Sequence, residues 1–183
     1  MSSGSILRES YVLPIITPQL EVREVGDLDE PEDFLPLFNT NPGWIEASEL
    51  HAGKRQYDIS DAAMYLWQNT AMEHSRCLVV HHHPSGTLIG TAALIAPHPS
   101  EPRPWIGLLL IHSGWQRQGL GTQTLESIQS LLADEGWDEV RVSVLKATPG
   151  ARRFFEHNGY TLVDERDDQN KRPCWILERR VRD

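Results

Sequence analysis

The sequence predicts a single domain of the mixed α/β class, and three observations carry that prediction. Short runs that alternate in polarity or are continuously apolar, as strands require, are interleaved with segments of helical period instead of being gathered into separate blocks. Turn signals of Gly, Pro and Asn separate these segments at short intervals. A length of 183 residues with 39% hydrophobic side chains is enough to bury one sizeable core and short for two. Residues 1–18 read as an irregular arm, free to be flexible, ahead of one domain over residues 19–183.

The elements follow in order. "LEVREV" (20–25) alternates apolar and charged residues as a half-buried strand does. The acidic "GDLDEPEDFLPLF" gives way to residues 39–58, a Pro- and Gly-punctuated stretch that reads as a short helix followed by a long loop. "ISDAAMYLWQNTAMEHS" has Ser60 or Asp61 as a cap and Ala63, Leu66, Trp67 and Ala71 at helical spacing. "CLVVHHH", the turn "PSG" and "TLIGTAALIA" form a hairpin. "PWIGLLLI" (104–111) is an unbroken apolar run suited to a strand buried on both faces, and "QRQGLGTQTLESIQSLLADEGW" (116–137) puts a glycine loop directly before a helix. "DEVRVSVL" (138–145) is a strand with Val140, Val142 and Val144 on one face. In "TPGARRFFEHNGY", Thr148 caps, Pro149 suits the first helical position and Gly159 suits a left-handed stop. "YTLVDER", "DDQNK" and "RPCWILERRV" make a closing hairpin. The order is strand, two helices, three strands, helix, strand, helix, two strands.

Composition narrows the function. The formal charge of −9 argues against a nucleic-acid or anionic-membrane partner and favours cationic ones. Cys77 and Cys174 alone provide no disulfide framework and no CxxC pair, which fits a reducing cytoplasm. The start of the chain reads as no signal peptide, and no run approaches the roughly 20 apolar residues of a membrane span. His81, His82 and His83 alternate faces in a strand, so at most two converge and no metal site is expected.

The glycine loop is the most informative segment. A strand running through a Gly-rich turn into a helix presents unpaired N–H groups at the positive end of the helix dipole, where phosphate binds readily. Gly119 and Gly121 let the backbone approach an oxyanion with no Cβ in the way. A tight turn alone would also account for them. Two other phosphate loops fail on spacing: the dinucleotide fingerprint GxGxxG needs glycine where Thr124 stands, and GxxxxGK[ST] is absent.

The pattern that fits is Q/R-x-x-G-x-G/A, here Gln116-Arg117-Gln118-Gly119-Leu120-Gly121. It resembles the pyrophosphate loop of the GCN5-related N-acetyltransferase (GNAT) family. "LLIHSGWQRQGLG" resembles that family's fourth strand and loop, and "TPGARRFFEHNGY" is similar to its fourth helix, which commonly reads N-x-x-A-x-x-x-Y-x-x-x-G-F. Strand order agrees as well, so the resemblance covers residues 20–180. It implies a central, mostly antiparallel sheet flanked by helices and splayed between its fourth and fifth strands, with acetyl-CoA (coenzyme A) as cofactor. By the same resemblance the backbone of Leu109, Leu110 and Ile111 pairs with the pantetheine arm. Backbone N–H groups from Gln116 through Arg117, Gln118, Gly119, Leu120 and Gly121 to Thr122 take the diphosphate, assisted by the side chain of Gln116 or Arg117. Thr148 and Phe155 complete the cofactor contacts.

The catalytic positions depart from the family pattern. The tyrosine that many members use to protonate the departing thiolate corresponds to Phe155, and no glutamate stands between Trp105 and Ile111 to act as base. A thiol has a pKa of about 8.5, so thiolate departs near neutral pH without an acid. The acceptor is more demanding: a lysine-like amine of pKa about 10.4 costs roughly 4 kcal/mol to deprotonate at pH 7.4, an α-amine near 7.7 under about 1 kcal/mol. Surrogates are His112, at the strand end, and Ser143, which can only position a water. The acceptor region falls on Trp44, Glu46, Glu49 and Tyr57, aromatic plus acidic, which suits a cationic amine; local packing and solvated glutamates would account for them equally. The expectation is transfer of acetyl to a primary amine, on a small molecule or a protein N-terminus, by direct attack on the thioester, with homodimerisation left open. The rival is a non-catalytic acyl-CoA-binding module.

Overall fold

The computed structural model describes residues 13–48 and 53–182. Its elements are β1 (Ile15–Ile16), β2 (Leu20–Glu24), α1 (Pro31–Asn39), α2 (Pro42–Ser48), α3 (Ile59–Thr70), β3 (Ser75–His82), β4 (Thr87–Ile95), β5 (Trp105–Ile111), α4 (Leu120–Asp134), β6 (Glu139–Leu145), α5 (Pro149–His157), β7 (Thr161–Asp167) and β8 (Pro173–Arg180). The strands form one eight-stranded sheet in the order β1-β2-β3-β4-β5-β6-β8-β7. All described neighbours are antiparallel except β5 and β6. The mixed α/β class is therefore as expected, and the expected fourth and fifth strands are β5 and β6 because β1 precedes them.

Alternation places a helical layer on each face. Val140, Val142 and Val144 point with Leu78, Val80 and Ile106 into a core closed by Leu120, Leu125, Ile128 and Leu132 of α4 and Phe155 of α5. The opposite face carries Val79 and Leu110 under Phe34, Leu37 and Phe38 of α1, Ile45 of α2 and Ala62 of α3. Arg103, Arg141 and Arg166 meet Glu101 and Glu178 in an ion-pair network that fixes the β4–β5 connection against β6 and β8.

Four expectations need correction. Ile15 and Ile16, placed in the irregular arm, pair with Val22 and Glu21 as β1; residues 1–12 of that arm lie outside the described residues. Two helices, not one, precede α3. Pro36 removes a donor inside α1, yet the helix forms because Phe34, Leu37 and Phe38 are buried along one side. The cap of α3 is Asp58, which accepts from Ser60 N at 2.8 Å and Asp61 N at 3.2 Å while Asp61 accepts from Asp58 N at 2.8 Å. Finally, α3 buries Ala62 and leaves Trp67 64% exposed, one residue out of phase with the expected stripe.

Gly90, paired with Ile111, is required by the close approach of β4, β3 and β5. A Cβ there would stand 2.7 Å from Ile111 Cδ1 and 3.0 Å from Leu110 O. Gly90→Ala is expected to lower stability by about 1–3 kcal/mol, read as a fall of several degrees in Tm. An unchanged Tm would show that β5 yields at no cost.

Candidate active site

The sheet opens between β5 and β6. Only Trp105↔Arg141 and Ile106↔Val142 pair across the two strands. Ala93 pairs with Leu108 while Leu94 pairs with Ile106, so Gly107 is an extra residue that bulges β5 and bends it away. Beyond it, Leu108 to Ile111 pair with β4 alone, whereas β6 continues alongside β8. His112 N donates to Ile89 O at 2.8 Å. In an antiparallel ladder hydrogen-bonded and non-hydrogen-bonded pairs alternate, so Leu109 and Ile111 turn their N–H and C=O groups from β4 into the gap. Gly107 and Ser143 are both exposed at the fork.

The glycine loop closes the open end of this gap. A short 3-10 turn, Ser113–Trp115, leads from β5 to Gln116, and α4 begins after Gly119. The backbone N–H groups of Arg117 through Thr122 have no acceptor among the described residues. Arg117 and Gly119 have φ of 64° and 80°, which curls the loop into the kind of N–H concavity that takes anions. A Cβ on Gly119 would meet nothing within 4 Å, so the space over the loop is open. Arg117 is exposed and makes no ion pair with a described residue. The donors, their concavity and the flanking guanidinium fit a diphosphate.

The side chains depart in part from their expected places. Gln116 is not available to an anion: its Nε2 donates to Ile111 O at 2.8 Å and to Asn41 Oδ1 at 2.9 Å. Gln118 Nε2 turns back to Gly114 O at 3.2 Å. Thr148 Oγ1 donates to Leu145 O at 2.9 Å and does not cap α5. Leu120 is buried, so only its backbone can serve a ligand. The Phe155 ring is 6% exposed and packs edge-on against Phe154 and Tyr160, centroids 5.2 Å from each. Its neighbour Phe154 is the aromatic that stands over the loop, 3.4 Å from where a Cβ on Gly121 would lie. Gly121 therefore also lets α5 approach α4.

The expected catalytic groups are constrained as well. His112 Nδ1 accepts from Gly114 N at 3.0 Å, capping the 3-10 turn. A neutral imidazole has one acceptor nitrogen, and in His112 it is engaged. Ser143 is exposed on β6 and paired with Ile176, in reach of solvent as a water-positioning hydroxyl must be. The buried phenols do not substitute for a tyrosine at 155. Burial pushes the Tyr65 hydroxyl well above its ordinary range, and burial pushes Tyr160, despite the Gln129 hydrogen bond, to about 12.

Phe155→Tyr places its new hydroxyl on a ring that is 6% exposed and packed among other aromatics. The expected result is a loss of about 1–3 kcal/mol, measured as a lower Tm, with turnover unchanged because no proton donor reaches the gap. A gain in turnover of ten-fold or more, on the scale of acid catalysis, would place the ring in the cleft.

On the face of α1–α3, Trp44 stacks on Phe38 with centroids 5.7 Å apart, and Tyr57 meets the same ring at 5.3 Å. Both are half-buried parts of an aromatic cluster. Glu46 pairs with Arg55 at 2.7 Å, so its charge is already met. Glu49 lies outside the described residues. Arg172 of the β7–β8 turn reaches across to Ser48 O at the end of α2, its guanidinium held by Asp168 at 2.7 Å. The sequence reading missed Asn41, Gly107, Phe154 and Arg172. An isolated glycine inside an apolar strand is the one local signal that was available, since it marks a bulge.

Comparison with known proteins bears on this geometry. A model described as the acetyltransferase (GNAT) family matches residues 44–160, which run from α2 through the glycine loop to the end of α5. No curated protein matches the sequence significantly. Among solved structures, an acetyltransferase from Thermus thermophilus superposes with a TM-score of 0.71 at 21% identity, covering 88% of this chain and 97% of that one. A ribosomal L7/L12 α-N-protein acetyltransferase in complex with coenzyme A gives 0.70 at 14% identity, covering 91% and 97%. Spermidine N-acetyltransferase from Vibrio cholerae in complex with CoA and spermine gives 0.66 at 15%, covering 90% and 97%. At these identities the likeness is one of fold. Among the described residues no helix is long and apolar enough to cross a membrane.

Proposed function

The chain belongs to the acetyltransferase (GNAT) family, whose members use acetyl-CoA, and from that premise we propose that it transfers acetyl to a primary amine by direct attack on the thioester. The observation that carries this reading is the continuity of two sets of unmet backbone groups. The N–H run of Arg117–Thr122 adjoins the N–H and C=O of Leu109 and the N–H of Ile111, so diphosphate and pantetheine amides have partners along one path. Acetyl-CoA supplies an activated acyl group with a good leaving thiol. The chain's part is to hold the diphosphate on the loop, with the Arg117 guanidinium beside it, and to line the arm along β5. The N–H of Leu109 or Ile111 polarises the carbonyl. As the new C–N bond forms and the C–S bond breaks, the amine's proton leaves to solvent, with Ser143 ordering a water, and sulfur departs as thiolate.

A polyamine or a protein α-amine is the proposed acceptor class. Spermidine and a ribosomal protein N-terminus are the acceptors in the names of two structurally similar proteins, and the negative charge of this chain suits both. The same reading places residues 19–183 in one catalytic domain at work in the cytoplasm.

Calorimetry with acetyl-CoA, followed by CoA release with spermidine, a lysine ester and a peptide bearing a free N-terminus, tests the proposal. Saturable binding with release dependent on one amine class is expected. Binding with no release across the panel would favour the binding-module reading, and no binding would overturn both.

A further inference from the structure

Asn41 stands between α1 and α2, directly before Pro42, where an asparagine ordinarily caps the following helix. Here its amide bridges instead. Nδ2 donates to Leu37 O at 2.9 Å and to Ile111 O at 3.2 Å, and Oδ1 accepts from Gln116 Nε2 at 2.9 Å. The other Gln116 hydrogen goes to the same Ile111 O, at 2.8 Å. Ile111 O is thus met by two donors, one from the acceptor-side helices and one from the cofactor loop. Its neighbours in sequence reinforce the join. Asn39 exchanges hydrogen bonds with the backbone of Tyr57 at 3.0 and 2.7 Å, and Thr40 Oγ1 accepts from Ser113 N at 3.2 Å.

This changes what β5 can offer a ligand. Of the groups that alternation turns into the gap, Ile111 C=O is closed, which leaves Leu109 N–H, Leu109 C=O and Ile111 N–H. Groups on a strand edge repeat every second residue, so an extended ligand that pairs with the edge has alternative registers two residues apart. We propose that Asn41 is a positioning residue: by donating to the Ile111 carbonyl and holding the Gln116 amide that donates to it as well, it keeps that carbonyl closed, leaves a single register for the pantetheine arm on β5, and so fixes where the acetyl carbonyl sits beneath the acceptor-side helices. The inference rests on acetyl-CoA being the ligand, as proposed above.

The test uses the full chain and acetyl-CoA labelled with carbon-13 at the carbonyl. Isotope-edited infrared spectroscopy of the bound thioester reports the carbonyl's hydrogen bonding, and calorimetry reports affinity. In Asn41→Ala the carbonyl band should broaden and move toward its position in water. Affinity should stay within about threefold, since the loop still holds the diphosphate, while kcat with the best amine falls about tenfold or more, the signature of lost positioning and not of lost binding. Asn41→Asp has no donor for Ile111 O and offers Gln116 Nε2 two carboxylate oxygens in place of that carbonyl, so it should reproduce the alanine result and guards against a folding defect in either variant. A band and kcat unmoved in folded variants overturn the proposal. So does a fall in affinity that accounts for the whole loss of rate. Absence of acetyl-CoA binding in the unaltered chain is a separate outcome, and it overturns the functional reading.

Discussion

Gly119→Asp is expected to weaken acetyl-CoA binding by about 100-fold or more, and Gly119→Asn by less than about tenfold, although the two side chains have the same shape. The comparison isolates charge. Gly119 has φ of 80°, so either residue incurs a left-handed backbone cost, and asparagine and aspartate tolerate that region better than other residues. Nothing lies within 4 Å of the new Cβ, so both variants should fold with the same small loss of Tm. In Gly119→Asp, however, a carboxylate joins the N–H groups of Arg117–Thr122 and competes with the diphosphate for them. A factor of 100 is about 2.7 kcal/mol, the worth of one or two charge-assisted hydrogen bonds at about 1.5–3 kcal/mol each. Since the loop is exposed, added salt should narrow the gap between the two variants. Equal affinity for both would show that the diphosphate lies elsewhere. Gly121, which the motif alone suggests as the place to intervene, is less suitable because Phe154 occupies the space a side chain would need.

That contrast shows what the sequence could reveal. The loop was legible because its signal is local: two glycines one residue apart between an apolar strand and a helix. The limits of α5 were legible for the same reason, from Pro149 and Gly159. Long-range contacts were not. Asn41 and Ile111 are 70 residues apart, and nothing near either one announces the bond between them. The two phenylalanines of α5 illustrate a second limit. The motif register singles out position 155, whereas the packing that buries Phe155 beside Tyr160 and sets Phe154 over the loop depends on contacts the motif does not contain. The charge of Glu46 was visible while its partner Arg55, nine positions on, was not recognised as such. In α3 the error was one of phase, because a helix that buries only Ala62 fully carries a weak stripe. The bulge at Gly107 is the case where a rule was available and unused.

The largest effect of conditions is expected from pH, and its cause lies in the acceptor. With the lone-pair nitrogen of His112 engaged by Gly114 N and Ser143 offering only a hydroxyl at the fork, neither surrogate base is placed to take the proton. The amine must then arrive already neutral. For an ordinary alkylamine with a pKa of about 10.4, kcat/KM should rise about tenfold per pH unit from pH 6 to 9; for an α-amine near 7.7 it should level off above about pH 8. The position of the bend should therefore follow the amine. His112→Ala should leave both profiles in place and cost only the turn's cap, about 1 kcal/mol of stability. The opposite result is equally clear: a bend at one and the same pH for every amine, abolished in His112→Ala together with a rate loss of about 100-fold. That outcome would mean that the Gly114 bond opens during turnover and frees the imidazole to take the proton.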